Sequence, residues 1–211
     1  MKKKPENKIE RRFIPNGAAE IRLVKKEDEP TKIVGYFAKF NSLSENLGGF
    51  SEIIEPGFFR DALKNSDTVD LLNHDSNYVL GRTSAGTLRL IEDKVGLRYE
   101  CDAPDTQIIK DLVISPIERG DITGNSFGFT LNGDGDTWEE DDDGRVIRTL
   151  KAGGCKDLFD GSQVTFPAYP DTDVALRSLD NFKKSAATRG GNQGATALDN
   201  FKRQIEVSER L

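Results

Sequence analysis

The sequence predicts a mainly β protein of the α+β class, built as one domain with a few short helices and flexible ends. Several segments of strand length alternate apolar and polar residues, whereas only two short segments show helical spacing of apolar residues. With 211 residues, the chain is long enough for one well-packed domain with tails but not for two full domains. We place a polar, basic arm at 1–19, the domain at 20–176 and a polar tail at 177–211.

Composition and charge exclude several classes of protein. A formal net charge of -6 argues against a protein whose main task is to bind nucleic acid. Cys101 and Cys155 are too few for a disulfide framework, and neither has a Cys or His neighbour at metal-ligand spacing. The sequence shows no apolar run of membrane-spanning length and no signal-peptide core. We therefore expect a soluble protein in a reduced, cytosolic setting, without a metal or another cofactor.

In the first half of the chain we expect two strands and one short helix. Residues 33–40 alternate like a half-buried strand, with an apolar face formed by Val34, Tyr36, Ala38 and Phe40. Residues 55–63 carry an apolar stripe with a proline in the first turn, which predicts a helix packed on the sheet. Residues 69–74 predict a strand that ends in a polar, turn-rich cluster. His74, the only histidine of the chain, therefore lies at a strand end.

The second half predicts a hairpin, a helix and the remaining strands. Residues 88–101 alternate around a short charged turn, which indicates an antiparallel hairpin. Residues 105–119 have helical spacing, and we expect Pro116 to bend or end that helix. Further strands are expected at 122–131, 145–150 and 158–166, with a long acidic hairpin loop at 132–144.

The strand at 122–131 has two different faces. Phe127 and Phe129 lie on an apolar face, whereas Ser126 and Gly128 lie on the opposite face. Glycine in a strand often marks the close approach of another backbone, so this serine could be presented to a peptide as a nucleophile. Taken alone, the same residues are explained more simply by a strand whose outward face is small and polar.

A serine nucleophile needs a base and an orienting carboxylate. Any imidazole chemistry within one chain must use His74, although a histidine in a polar turn is by itself most simply a turn residue. Asp160 shares a strand face with Leu158 and Val164, and an unpaired aspartate there would be costly to bury. We therefore expect Asp160 to have a partner.

The acidic loop invites comparison with a calcium-binding loop, because Asn132, Asp134 and Asp136 fall at alternating positions. The pattern fails, since Thr137 occupies the position that requires glycine and Asp143 the position of a bidentate glutamate. We expect a solvated run of charges here.

The tail contains a short repeat. The segment Leu179-Asp180-Asn181-Phe182-Lys183 recurs at residues 198–202 across a glycine-rich linker. Two copies of so short a unit do not make a solenoid. They are either short helices that dock alternately on one site or a duplicated linker, and we favour the linker.

Several motifs along the chain match one family in order and spacing. They are GYFAKFN at 35–41, EPGFF at 55–59, LNHD at 72–75, LGRT at 80–83, GDITGNSFGF at 120–129 and VTFPAYP at 164–170. Between about residues 12 and 174, the chain resembles the caudoviral prohead proteases, the capsid-maturation proteases of tailed bacteriophages.

The resemblance implies a serine endopeptidase whose fold is related to herpesvirus assemblin, a β-barrel surrounded by helices. Such enzymes cut the scaffolding protein, or a scaffold-like extension of the capsid protein, and themselves, inside the procapsid in the host cytoplasm. The family's nucleophile matches Ser126 and its histidine matches His74. Phage members commonly carry a glutamate where this chain has Asp160, and the second histidine of the herpesvirus enzymes is absent here. The analogy also implies a possible homodimer. The net charge and the lack of a membrane-spanning apolar run predict no specific nucleic-acid partner and no membrane partner.

Two other classes of protein remain as alternatives. A non-catalytic assembly module with the same fold would be favoured by loss of Ser126 or His74, but both residues are present. A calcium-binding or ligand-binding β-domain rests only on the acidic loop. The oxyanion hole is normally made by backbone N–H groups, and Arg82 is equally consistent with a contribution to it or with a structural salt bridge.

Overall fold

The computed structural model of the protein describes residues 9–14, 17–166 and 179–184. Most of the regular structure is β, and the strands are β1 Glu10–Ile14, β2 Arg22–Val24, β3 Lys32–Lys39, β4 Ser51–Ile54, β5 Val69–Leu72, β6 Asp75–Arg82, β7 Leu88–Glu92, β8 Gly96–Asp102, β9 Gly124–Leu131, β10 Asp136–Glu140, β11 Val146–Leu150 and β12 Cys155–Val164. The helical segments are α1 Ala62–Asn65, α2 Gln107–Ile109, a π-helical segment Lys110–Ile114, α3 Ser115–Arg119 and residues 179–184. The prediction of a mainly β protein of the α+β class is confirmed.

The strands form three sheets. A five-stranded sheet has the order β1-β9-β12-β5-β6, a four-stranded sheet has the order β2-β3-β8-β7, and a three-stranded sheet has the order β10-β11-β4. Neighbouring strands are antiparallel except in the pairs β12–β5 and β11–β4. No closed barrel is found among the described residues. The five-stranded sheet, together with the turn between β5 and β6, carries all three residues of the candidate site, as described below.

An aromatic core supports the serine strand from its apolar face. Phe127 and Phe129 are fully buried, as the two-residue period predicts. Phe58 packs edge-on against Phe129 at 5.5 Å between ring centroids, and Phe59 packs against Phe127 at 5.4 Å. Edge-to-face pairs contribute about 0.5–1.5 kcal/mol each beyond the burial of area. The EPGFF motif therefore fixes the position of β9, although its phenylalanines lie in turns before α1 instead of inside a helix.

The predicted core face of residues 33–40 is right for Val34, Ala38 and Phe40, which are buried, and wrong for Tyr36. The fully buried side chains of the strand include Ile33 and Phe37, whereas Tyr36 is only half-buried and its hydroxyl donates a hydrogen bond to Asp93. The pairing of β3 with β8 shifts between Tyr36 and Ala38. Such a bulge places an extra residue in one strand, so a simple two-residue alternation does not hold across it.

Some boundaries of helices and strands also differ from those that the local sequence predicts. Pro116 does not end its helix, because it occupies the first turn of α3 directly after the π-helical segment, where the missing N–H is tolerated. The expected loop at 132–144 contains β10, and β6 begins where only a polar turn was expected. The hairpin of β7 and β8 is confirmed.

Both predicted flexible ends contain packed residues, so that expectation is wrong for part of each. Residues 10–14 form β1, which pairs with the serine strand from Glu10 opposite Phe129 to Ile14 opposite Asn125. Residues 179–184 are helical, and Leu179 is only 3% exposed. The second copy of the repeat, at 198–202, lies outside the described residues.

Candidate active site

Three neighbouring strands bring the predicted site residues together. Ser126 lies in the middle of β9, and Ser162 of β12 lies directly opposite it. Asp160 of β12 faces Gly128, two residues further along the serine strand. On its other side, β12 pairs in parallel with β5, whose end leads into the turn that carries His74. Residues separated by 34 to 86 positions therefore meet on one face of the five-stranded sheet.

His74 occupies an unusual turn. Asn73 and His74 are the two connecting residues between β5 and β6, and both have positive φ angles, of 51° and 58°. Two such residues define the tight hairpin turn whose twist matches that of the strands. Asparagine adopts this conformation readily, but histidine does so less often. Its backbone N–H donates to Ser162 Oγ at 3.0 Å, which ties the turn to β12.

The three predicted side chains form one hydrogen-bonded chain. Ser126 Oγ lies 2.7 Å from His74 Nε2, and His74 Nδ1 contacts Asp160 Oδ2. When Nδ1 carries the proton it donates to the carboxylate, which leaves Nε2 free to accept the serine proton. Asp160 thus has the partner that its position in an apolar strand predicted. This geometry permits transfer of the hydroxyl proton to the imidazole.

The two glycines of the serine strand make room for side chains of the protein itself. A side chain at Gly128 would collide with Asp160 Oδ1, and one at Gly124 would collide with the ring of Phe13. The sequence pattern predicts that the bare face beside Ser126 leaves space for another backbone. Beside Gly128, that space is filled by the carboxylate that contacts His74.

The site is nearly closed to solvent. Ser126 is fully buried, and the side chains of His74 and Asp160 are 11% and 9% exposed. Electrostatic interactions are stronger in such surroundings than in water, because less solvent screens them. The pairing of Asp160 with His74 offsets the cost of burying the carboxylate.

A second polar network, which the sequence analysis missed, lies in the core beneath the site. Asp70 of β5 accepts a hydrogen bond from Gln163 Nε2 at 3.1 Å, and Gln163 lies opposite Asn125, the neighbour of Ser126. Asp70 is fully buried, and burial raises its pKa to about 7. An aspartate between Val69 and Leu71 in an apolar strand was the signal that could have revealed it.

Other candidate groups have structural partners. Arg82 forms an ion pair with Asp67 at 2.8 Å, which favours the salt-bridge interpretation. Burial raises the pKa of the Cys101 and Cys155 thiols, so neither is a ready thiolate nucleophile. Within residues 9–14, 17–166 and 179–184, no group of three or more metal-ligating side chains occurs. Over the same ranges, no helix has the length and apolar character that a membrane crossing requires.

Comparison with known proteins identifies the family. The model of the caudovirus prohead serine protease family matches residues 19–185, which is most of the chain. The chain belongs to this family, and it is a serine-type endopeptidase of the kind that matures phage capsids. No curated protein and no solved structure matches the chain.

Proposed function

We propose that this prohead serine protease uses Ser126 as the nucleophile, His74 as the general base and acid, and Asp160 to orient His74. The observation that carries the proposal is the continuous chain of contacts from Asp160 through His74 to Ser126. Ser126 and His74 also lie in the family's motifs, whereas Asp160 does not, so the proposal depends on the geometry of all three residues.

The proposed reaction follows from the order of these contacts. Ser126 Oγ attacks the scissile carbonyl while His74 Nε2 takes the hydroxyl proton, and Asp160 stabilises the resulting imidazolium. His74 then returns that proton to the leaving amine, which releases the first product and leaves an acyl-enzyme. Water repeats the sequence and frees Ser126. The carboxylate holds the imidazole in one tautomer throughout, so that Nε2 always faces the serine.

Family membership supports a proposal for the substrate class. We propose that the enzyme cleaves the scaffolding protein, or a scaffold-like extension of the major capsid protein, and also its own chain. The reaction would take place inside the procapsid in the cytoplasm of the bacterial host. A homodimer and closure of the sheets into an assemblin-like barrel are parts of the same proposal, and they rest on the resemblance alone.

The decisive experiment is co-expression of the enzyme with the capsid or scaffolding protein encoded beside it, followed by intact-mass analysis. Ser126→Ala and His74→Ala should each lower turnover by about 10³ to 10⁶, because members of such a unit fail together. Ser84→Ala is a matched control, since Ser84 is exposed and lies outside the site. All variants should fold and enter shells. Normal processing by Ser126→Ala would refute the proposed nucleophile and favour a structural role.

A further inference from the structure

The first copy of the tail repeat occupies an apolar cleft. The cleft is formed by Leu47, Phe50, Trp138 and Val146. Leu179 is buried in it with one methyl group near Gly49, and the Phe182 ring stacks on Trp138 with 6.2 Å between ring centroids. Residues three apart lie on one face of a helix, so this helix presents both anchors to the cleft. The first copy is therefore a packed ligand of the domain and not a linker.

We infer that this cleft is a binding site for the LDNFK motif and that the second copy, residues 198–202, binds there in competition with the first. Leu198 and Phe201 reproduce both anchors at the same spacing, and the three other residues are identical as well. Because the second copy carries the same contact residues, it can make the same contacts in the cleft as the first copy.

Charge complementarity supports the same occupant. Trp138 is followed by five consecutive acidic residues, 139–143. Each copy of the motif ends in a basic pair, Lys183-Lys184 in the first and Lys202-Arg203 in the second. Opposite charges beside an apolar contact steer association and fix the direction in which the segment binds.

Chain length allows the exchange within one molecule. After Val164, the end of β12, 14 residues precede the first copy and 33 precede the second. Because the probability of loop closure falls with about the 3/2 power of length, the first copy is favoured by only about fourfold at equal affinity. The second copy therefore takes a minor share of the cleft in the native chain, and it takes the whole cleft when the first copy loses its anchors.

Trp138 reports on the cleft directly, because it is the only tryptophan of the chain. We would use the full chain with Ser126→Ala, so that cleavage cannot remove the tail. One variant alters the first copy (Leu179→Ala with Phe182→Ala), one alters the second copy (Leu198→Ala with Phe201→Ala), and one alters both. Acrylamide quenching of Trp138 should match the parent in each single-copy variant and rise only when both copies are altered.

Three results would overturn the inference. The first is that Trp138 of the first-copy variant is quenched as strongly as Trp138 of the doubly altered chain, or that the first-copy variant itself unfolds. The second is a doubly altered chain whose Trp138 is as protected as in the parent. The third is protection that is lost on dilution, since this would assign the ligand to another molecule. If the doubly altered chain unfolds while the first-copy variant stays folded and protected, the second copy has replaced the first.

A synthetic peptide provides an independent measurement. The peptide of residues 196–204, added to the doubly altered chain, should restore the protection of Trp138 in a saturable manner. The same peptide with Leu198→Ala and Phe201→Ala is the control and should have no effect. Failure of the unaltered peptide to bind would contradict the inference.

Discussion

Two buried clusters of charged residues lie on opposite faces of strands β1 and β9. On one face, Asp160 contacts His74, which contacts Ser126. On the other, Arg12 and Arg148 form ion pairs with the buried carboxylates of Glu10 and Glu52, and Arg148 also pairs with Asp136. The second cluster joins β1 to β4 and β11 of the three-stranded sheet. Both clusters are buried, but only one places an imidazole between a carboxylate and a hydroxyl.

The pKa shifts of Glu10 and Arg148 show how the ion-pair cluster is kept charged. Burial alone would raise the pKa of Glu10, but hydrogen bonds and charges from Arg148 and Arg12 lower it overall. Burial would likewise lower the pKa of Arg148, and its carboxylate partners raise it. The ion-pair cluster therefore remains charged at neutral pH. Buried charge by itself does not mark a reactive site, whereas an imidazole placed between a carboxylate and a hydroxyl does.

The largest difference between the two clusters is expected when the carboxylate of the candidate site, Asp160, is altered. Asp160→Asn should lower turnover by roughly 10² to 10⁴, because the amide no longer stabilises the imidazolium or fixes its tautomer. The measurement is single-turnover cleavage with purified enzyme, together with a melting curve that should change little. Full activity of Asp160→Asn would assign the orienting role to another group.

Gly128→Ala tests the same carboxylate without changing its chemistry. The added methyl group would lie too close to Asp160 Oδ1, so the carboxylate must shift from its present contact with His74. Because a displacement of about 1 Å can cost about 10² in rate, turnover should fall by about that factor. Activity equal to that of the unaltered enzyme would mean that the contact is not needed.

A substitution in the ion-pair cluster should lower stability and leave turnover nearly unchanged, which is the reverse of the expectation for Asp160→Asn. Arg148→Met should lower the free energy of unfolding by about 3–5 kcal/mol, because it leaves Glu10 and Glu52 buried with too little compensating charge. Turnover per folded molecule should stay nearly constant. Arg145→Met is the matched control on the same hairpin, since the side chain of Arg145 is 69% exposed and such pairs contribute about 0–1 kcal/mol. Equal losses in the two variants, measured by urea unfolding, would refute the comparison.

Asp70 is a buried carboxylate that pairs with no arginine in the part of the chain that the structure describes. Its pKa is raised from 3.8 to about 7, so the folded state holds a proton that the unfolded chain releases. The stability contributed by this proton is complete below about pH 4 and is lost as the pH rises through about 7. Asp70→Asn should therefore be more stable than the unaltered protein above pH 7, by at most about 4 kcal/mol, and similar to it below pH 4.

Asp67 is the control for this titration, because its pKa is shifted in the opposite direction, below its usual value. The side chain of Asp67 is 40% exposed, and its hydrogen bond with Arg82 lowers its pKa. Its contribution is present at neutral pH and is lost on acidification, so Asp67→Asn should lose stability at pH 7. Unfolding measured between pH 4 and 8 should separate the two variants. A flat difference between Asp70→Asn and the unaltered protein would show that Asp70 is ionised throughout.

The sequence predicted one of the two clusters and not the other, for a physical reason. Ser126, His74 and Asp160 each lie in or beside a strand whose period is visible locally, and family motifs mark the first two. Glu10 and Arg12 lie in a charged segment that resembles a solvated arm. Their partners Glu52 and Arg148 are distant in sequence, and no local pattern indicates that a second sheet covers β1.

The smallest effect is expected at Ser162, where it separates a role in positioning His74 from a role in stability. Ser162 Oγ accepts the backbone N–H of His74 at 3.0 Å and lies 3.3 Å from Nδ1 of the same residue. A neutral hydrogen bond of this kind contributes about 1 kcal/mol, so Ser162→Ala should destabilise the protein by about that amount. Turnover should fall about fivefold with little change in KM, because the turn of His74 is no longer held against β12.

Thr68→Ala is the matched control for this variant. Thr68 is a buried hydroxyl residue that donates to the carbonyl of Leu158, so it also anchors β12, but away from His74. The two variants should lose similar stability, again about 1 kcal/mol, since each removes one neutral hydrogen bond. Only Ser162→Ala should lower kcat. If Thr68→Ala slows turnover to the same degree, the loss comes from general loosening of β12, and Ser162 has no separate role in positioning the imidazole.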